Sequence, residues 1–213
     1  MDEISISARH DGFSQLTVEW SRLSKYTGND TYRQLAENSA LHIAQLAGPL
    51  PGLPAQGIDP ATGDFVGAYV TWGGGTDSYL EYLLKYTRIN LDANPLLLQT
   101  WQTAVDSSIK FLMKVSTVGD RTYLADFQDD RQIRHIGSHL ECFHAGNWIL
   151  GGRLLDNQTI VDIGLKLADA CWNTYASTAY VFFFFVCCVL CLLTTSRLKN
   201  KDWPGGIRFH LQG

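Results

Sequence analysis

Asp77 follows Gly73, Gly74, Gly75 and Thr76 directly and opens a helical pattern, with Glu81 one turn further on. Two carboxylates then share one helix face behind a glycine-rich loop. Carboxylates so placed can give and take protons, whereas an isolated Asp77 would only complement the helix dipole. GGGTD is not a phosphate cradle, because no Lys followed by Ser or Thr comes after it. Glu19 sits in LTVEW between Val18 and Trp20. A carboxylate among apolar neighbours needs a partner or a wet cavity, which makes Glu19 a candidate pocket residue. His139 has His135 before it, His144 after it and Glu141 beside it. Such a group could hold zinc, but no HExxH or other ligand spacing is present and Gly137 interrupts the alignment. No metal site is expected.

Groups of this kind need a scaffold. The chain has 213 residues, 46% hydrophobic and 18% charged, which is ordinary for one or two globular domains. A net charge of −4 without a basic run leaves no footprint for nucleic acid, so no nucleic-acid partner is expected. Of the five Cys, Cys187, Cys188 and Cys191 lie in one apolar run. Spacing therefore defines neither a disulfide framework nor a zinc ribbon, and only Cys142 and Cys171 remain for the globular part.

The ends differ from the middle. The first residues, MDEISISARHDG, are polar from the second onward, so no signal peptide is expected there. Ala179 to Leu193 is uninterrupted apolar sequence and shorter than the roughly 20 residues that span a bilayer as a helix. Its Phe, Val, Cys and Leu are what T-rich codons encode, so the preferred reading is translated non-coding sequence. A membrane anchor over 179–193 is the alternative. The expected division is a folded domain over 13–178, then an apolar segment and polar tail over 179–213.

Between the ends the periodicity is helical. Leu16, Trp20, Leu23 and Thr27 form one stripe, closed by Gly28; Tyr32, Leu35, Ser39, Ile43 and Leu46 form the next. Leu80, Leu83, Leu84 and Thr87 follow, then Leu98, Trp101, Val105 and Ile109 behind the Asn94–Pro95 cap. A third pair runs through Leu140, Phe143, Ile149 or Leu150 and Leu154, then Ile160, Ile163, Leu167 and Tyr175. The first helices begin near residues 16, 77 and 139, a period of about sixty, which suggests a toroid or solenoid of helical hairpins. The connections Gly48–Gly75 and Val118–Gly137 read as hairpins that enter the starts of first helices, so one rim should carry the site.

Four segments in register, LTVEWSRLSKYTGND, TWGGGTDSYLEYLLKY, GSHLECFHAGNWILGG and GLKLADACWNTYAST, closely resemble class I α-1,2-mannosidases, family 47 of the glycoside hydrolases, especially fungal ones. The resemblance implies an all-α fold: an incomplete (α/α)7 barrel of about three helical hairpins with β-hairpin connections, plus the apolar C-terminal segment. It implies a calcium-dependent hydrolase that removes terminal α-1,2-linked mannose from high-mannose N-glycans with inversion, in the endoplasmic reticulum or Golgi or outside the cell. Inversion needs two carboxyl groups roughly 6.5–9.5 Å apart, with water between.

By the same resemblance, Asp77 matches a catalytic aspartate working on the leaving group, and His139 and Glu19 match substrate-binding pocket residues. The family's Phe-Glu-Thr-x-Ile-Arg and Arg-Pro-Glu-x-x-Glu segments, with the other catalytic carboxylates, are absent. So is the Phe-Asn-Thr-Glu-Ala-His-Pro segment whose Thr binds Ca2+. The polypeptide as written is therefore expected to be inactive and, with two open barrel edges, not to fold as a stable monomer. The alternative function is a non-catalytic glycan-binding or interaction module, held at a membrane by 179–193. Asn29 (NDT) and Asn157 (NQT) read as glycosylation acceptors on the rim opposite Asp77.

Overall fold

The structure, a computed structural model, describes residues 8–9 and 16–177. Among these, helices come in pairs: α1 (Thr17–Thr27) with α2 (Thr31–Gln45), α3 (Asp77–Ile89) with α4 (Pro95–Ser107), and α5 (Phe143–Leu154) with α6 (Gln158–Ala176). Each turn has a local cause. Gly28 takes the left-handed conformation (φ 71°) that a C-cap favours, and its N–H reaches Ser24 O at 2.9 Å, ending α1. Asn94 accepts from Leu96 N at 3.0 Å while Pro95 opens α4, where a missing N–H costs nothing. Beyond Ser107, α4 widens into a π-helical turn over Ser108–Leu112.

The connections are hairpins. β2 (Gly57–Ile58) pairs antiparallel with β3 (Phe65–Val66) around the turn Asp59–Asp64, and β1 (Ala8–Arg9) pairs with β2. β4 (Met113–Val115) pairs with β5 (Thr122–Leu124), and β6 (Asp126–Phe127) with β7 (Ile133–Arg134). Val70 and Phe127 exchange backbone hydrogen bonds at 2.7 and 2.9 Å, so the connection before α3 is tied to the one before α5.

Helix α3 adjoins both α1 and α5, so the first helices form one layer, and α2 adjoins α4 in a second. The core between them holds Trp72, Tyr79, Leu80, Leu83, Leu84, Leu97, Trp101, Val105 and Trp148. Of the stripes expected for α3 and α4, Leu80, Leu83, Leu84, Trp101 and Val105 are buried and Thr87, Leu98 and Ile109 partly so, whereas those for α1 and α5 have the wrong phase and that for α2 keeps only Ile43 in the core. Leu23, Leu35, Leu140, Leu150 and Leu154 are exposed, whereas Ser24, Ala36, Ala40, Ala145, Gly151 and Gly152 are buried. Close approach of backbones explains the choice of small residues: a Cβ on Gly151 would lie 2.0 Å from the Trp101 ring. His139–Cys142 is a 3-10 turn, so α5 proper starts at Phe143.

Cys142 and Cys171 form a disulfide, with Cα atoms 5.7 Å apart, that staples this turn to α6. Closing a loop with 29 residues of separation contributes about 3–4 kcal/mol in the chain-entropy view. Residues to Trp172 make one compact unit. A second begins at Asn173, where the described residues complete the last turn of α6 and Ser177 N bonds Asn173 O at 2.9 Å. Among the described residues no helix is long and apolar enough to cross a membrane, and the 179–193 segment lies outside them.

Candidate functional site

The segment before α3 is folded on itself. Gly73 N donates to Thr71 Oγ1 at 2.9 Å, the Thr76 hydroxyl bonds Thr71 O, and Gln56 Nε2 donates to Gly74 O at 2.5 Å. Gly75 has φ 106°, open to glycine and strained for other residues, and a Cβ there would run into the Gln56 side chain. This turn delivers Asp77 as the first residue of α3, with its N–H on Gly73 O at 3.1 Å. Its Oδ1 accepts from Ser78 N at 2.8 Å, and its other carboxylate oxygen takes no hydrogen bond from the described residues. Asp77 is half-buried at a helix N-terminus, where negative charge interacts favourably with the helix dipole. It can hold a proton, a water or a substrate hydroxyl without giving up its place. Glu81 is committed elsewhere, to an ion pair with Lys85 one turn on.

Glu19 is exposed rather than desolvated: its helix turns it away from Val18 and Trp20, and it accepts the Tyr82 hydroxyl at 2.8 Å. That bond joins the first turn of α1 to α3. Partial burial, followed by the hydrogen bond to Glu19 and then its charge, pushes the Tyr82 phenol up to about 12. His139 is exposed and makes no side-chain hydrogen bond among the described residues. The three histidines do not converge. His135 Nδ1 meets the Tyr123 hydroxyl at 2.7 Å, while His144 is buried against Trp72 with ring centroids 6.2 Å apart. Burial lowers His144 to about 4.

Sequence reasoning missed the buried acid pair behind the loop. Glu141 is 6% exposed and its Oε1 takes the Thr71 hydroxyl at 3.3 Å. A Cβ on Gly73 would come within 3.1 Å of its Oε1, and one on Gly137 within 2.9 Å of its Oε2, so two glycines make its seat. Burial, with the Asp126 charge adding to it, raises Glu141 to about 7 against opposing hydrogen bonds from Ser138 and Thr71. Asp126 is 4% exposed and accepts the Tyr69 hydroxyl at 2.5 Å. Burial and that bond raise the Tyr69 phenol well above its ordinary value. Asp129 Oδ1 holds Ala68 N and Tyr69 N at 2.7 and 3.0 Å. The only sequence signals were a carboxylate beside Cys142, Gly137 four residues before it and the distant Gly73, and no periodicity joins them.

A rim at the starts of α1, α3 and α5 therefore carries Glu19, Asp77 and His139, stiffened from behind by the cross-linked connections. The comparisons agree with that architecture. The profile of glycosyl hydrolase family 47 matches residues 6–182. The chain is 41% identical over 169 residues to mannosyl-oligosaccharide alpha-1,2-mannosidase 1B of Emericella nidulans, covering 76% of this chain and 33% of that protein. It is 38% identical to the mannosyl-oligosaccharide alpha-1,2-mannosidase of Coccidioides posadasii, covering 77% and 32%. The alpha-1,2-mannosidase structure from Trichoderma reesei superposes with a TM-score of 0.77 at 33% identity, covering 84% of this chain and 37% of that one. The chain thus spans about a third of the length of the curated relatives it matches. Hairpins side by side are part of that enzyme's (α/α)7 barrel, and the chain belongs to glycosyl hydrolase family 47.

Proposed function

We propose that this chain supplies one part of the site of an inverting mannosyl-oligosaccharide α-1,2-mannosidase, acting on terminal α-1,2-linked mannose of high-mannose N-glycans in the secretory pathway. The observation that carries this reading is Asp77, held by the Gly73–Thr76 turn with one carboxylate oxygen free on the rim. In an inverting hydrolysis one carboxyl group protonates the leaving oxygen while another activates water from the opposite face. Asp77 is suited to the leaving-group side, directly or through one water, because its backbone is fixed and its free oxygen needs no rearrangement to move a proton. Glu19 and His139, both exposed on the same rim, are suited to sugar hydroxyls. The second carboxyl group of the reaction belongs to parts of the barrel that this third does not cover.

Calcium dependence is part of the same proposal, but the described residues do not fit the ion: no group of three or more His, Cys, Asp or Glu converges among them. No step is therefore routed through it, and its ligands are assigned to the rest of the enzyme.

The test is a chimaera in which the matched region of the Emericella nidulans enzyme is replaced by residues 16–177 of this chain. It should release mannose from an α-1,2-linked disaccharide, and Asp77→Asn should lower kcat by roughly 10²–10⁴-fold, the usual contribution of a positioned acid or base. A loss below about threefold, with binding intact, would reduce Asp77 to a helix-start residue. Binding of the disaccharide without hydrolysis by an active-fold chimaera would favour the glycan-binding module.

A further inference from the structure

We infer that Asn29 and Asn157 are N-glycan acceptors, and that their carbohydrate lies on the rim opposite Asp77. Each begins an Asn-x-Thr triplet, Asn29-Asp30-Thr31 and Asn157-Gln158-Thr159. They occupy equivalent places in the fold, the turn between α1 and α2 and the turn between α5 and α6. All four Asn and Thr side chains are exposed.

The atoms are divided in a way that suits modification. Asn29 Oδ1 accepts from Thr31 N at 3.1 Å, and Asn157 Oδ1 accepts from Ile160 N at 3.3 Å, so the carbonyl oxygens organise the turns. The amide nitrogens, Nδ2, have no partner among the described residues, and neither do the Thr31 and Thr159 hydroxyls. Three of the other described asparagines differ. Asn90 Nδ2 donates to the Tyr86 hydroxyl at 2.9 Å, Asn147 is buried against Trp101, and Asn94 precedes Pro95. Attachment at Nδ2 keeps the Oδ1 bonds, so a sugar on either residue leaves the turn intact.

The placement follows from helix direction. Glu19 in the first turn of α1 reaches Tyr82 of α3, and Gly74, before α3, lies against Leu140, before α5. The starts of α1, α3 and α5 therefore share the Asp77 rim, and the ends of α1 and α5, with Asn29 and Asn157 just beyond, share the other. In the transfer, a bond forms between Nδ2 and the anomeric carbon of an oligosaccharide carried on a polyisoprenoid diphosphate. The bond from that carbon to the diphosphate oxygen breaks, the lipid diphosphate leaves, and the amide loses one proton.

The inference rests on the secretory-pathway reading above, and the experiment separates the two. The full chain, with a cleavable leader before Met1 and an added Asn-x-Thr tag as internal control, is translated with microsomes and digested with an endoglycosidase. Beyond the tag, two mobility increments should appear, one lost in Asn29→Gln and the other in Asn157→Gln. Thr31→Val and Thr159→Val, which keep the backbone bonds to the asparagine Oδ1 atoms, should each abolish the matching increment. A protease-protected chain with a modified tag and neither increment overturns the inference. If both sites are modified in microsomes but the protein made in its own cells stays outside the endoplasmic reticulum, the secretory reading fails and the acceptor assignment stands.

Discussion

Two buried titratable residues in the α5 region pull stability in opposite directions with pH. Glu141 is raised to about 7 by burial, so between its unfolded value near 4.5 and pH 7 the folded state holds the extra proton. Its contribution is fully present below 4.5 and is lost as pH rises through 7. His144 is lowered from 6.5 to about 4, so the unfolded state binds the proton first and stability is lost as pH falls from 6.5 to 4. The two slopes cancel between about 4.5 and 6.5 and leave a net fall from 6.5 to 7. In the chain, Glu141→Gln should abolish that fall and raise stability above pH 7 by on the order of 2 kcal/mol, discounting partial solvation. His144→Phe should instead unmask a decline beginning near pH 4.5. Urea melts of the three proteins at pH 4 to 8 read these slopes directly, and parallel curves would show that neither residue titrates as its burial requires.

At the scale of elements, helix α5 is where residue size matters more than hydrophobicity. Gly151 faces the Trp101 ring and Gly152 faces Val161, while an added Cβ on Gly146, which is exposed, meets nothing within 4 Å. Gly146→Ala should therefore stabilise by about 1 kcal/mol through helix propensity alone. Gly151→Ala should destabilise by about 2 kcal/mol or more, because a rigid buried indole has to move. Thermal melts of the pair distinguish the cases, and equal shifts of one sign would mean that α5 does not pack as described.

The same glycines explain what was legible beforehand. The three hairpins, their spacing of about sixty residues and the Asn94–Pro95 cap follow from punctuation and period. Helices α3 and α4 bury large apolar residues on one side, so their stripes were readable. In α1, α2 and α5 much of the buried face is made of Ser24, Ala36, Ala40 and Gly151, which carry little hydrophobic signal beside Ile43 and Trp148, and Leu35 and Leu154 drew the stripe to an exposed side. Asp77 stood out because a glycine run marks it. Glu141 did not, because its seat is built from the nearby Gly137 together with Thr71 and Gly73 from another part of the chain. The Cys142–Cys171 bridge escaped for the same reason: a 3-10 turn and a helix bring together residues whose spacing matches no framework.

For the whole molecule, exposed apolar residues on the middle hairpin are confined to its tip, at Ile89 and Leu91, whereas the outer hairpins carry them along their helices. Leu23, Tyr26 and Leu35 lie on the first hairpin, and Leu140, Leu150, Leu154, Leu165 and Trp172 on or beside the last; Leu35, Leu165 and Trp172 are each more than half exposed. The middle hairpin, covered on both sides, buries Tyr79, Leu80, Leu83, Leu84 and Trp101 almost completely. In a ring of hairpins every pair has two neighbours, and the Trichoderma reesei barrel aligns with this chain over only 37% of its length. The outer faces of the first and last hairpins are thus the surfaces that further pairs would cover. At about 25 cal/mol per Å2, several hundred Å2 of wet apolar surface on each forfeits on the order of 10 kcal/mol, as much as a domain's whole net stability. The disulfide restores only about a third of that. Residues 1–213 expressed alone should accordingly elute as self-associated species and lose helical circular dichroism gradually on heating, with dye binding to exposed apolar surface already at 25 °C. Glu or Lys at Leu35 and Leu165 should reduce the association without changing the helix content, since neither side chain is packed in the core. A monomeric peak with one sharp transition above about 45 °C would show that the three hairpins are self-sufficient, as a stand-alone glycan-binding module requires.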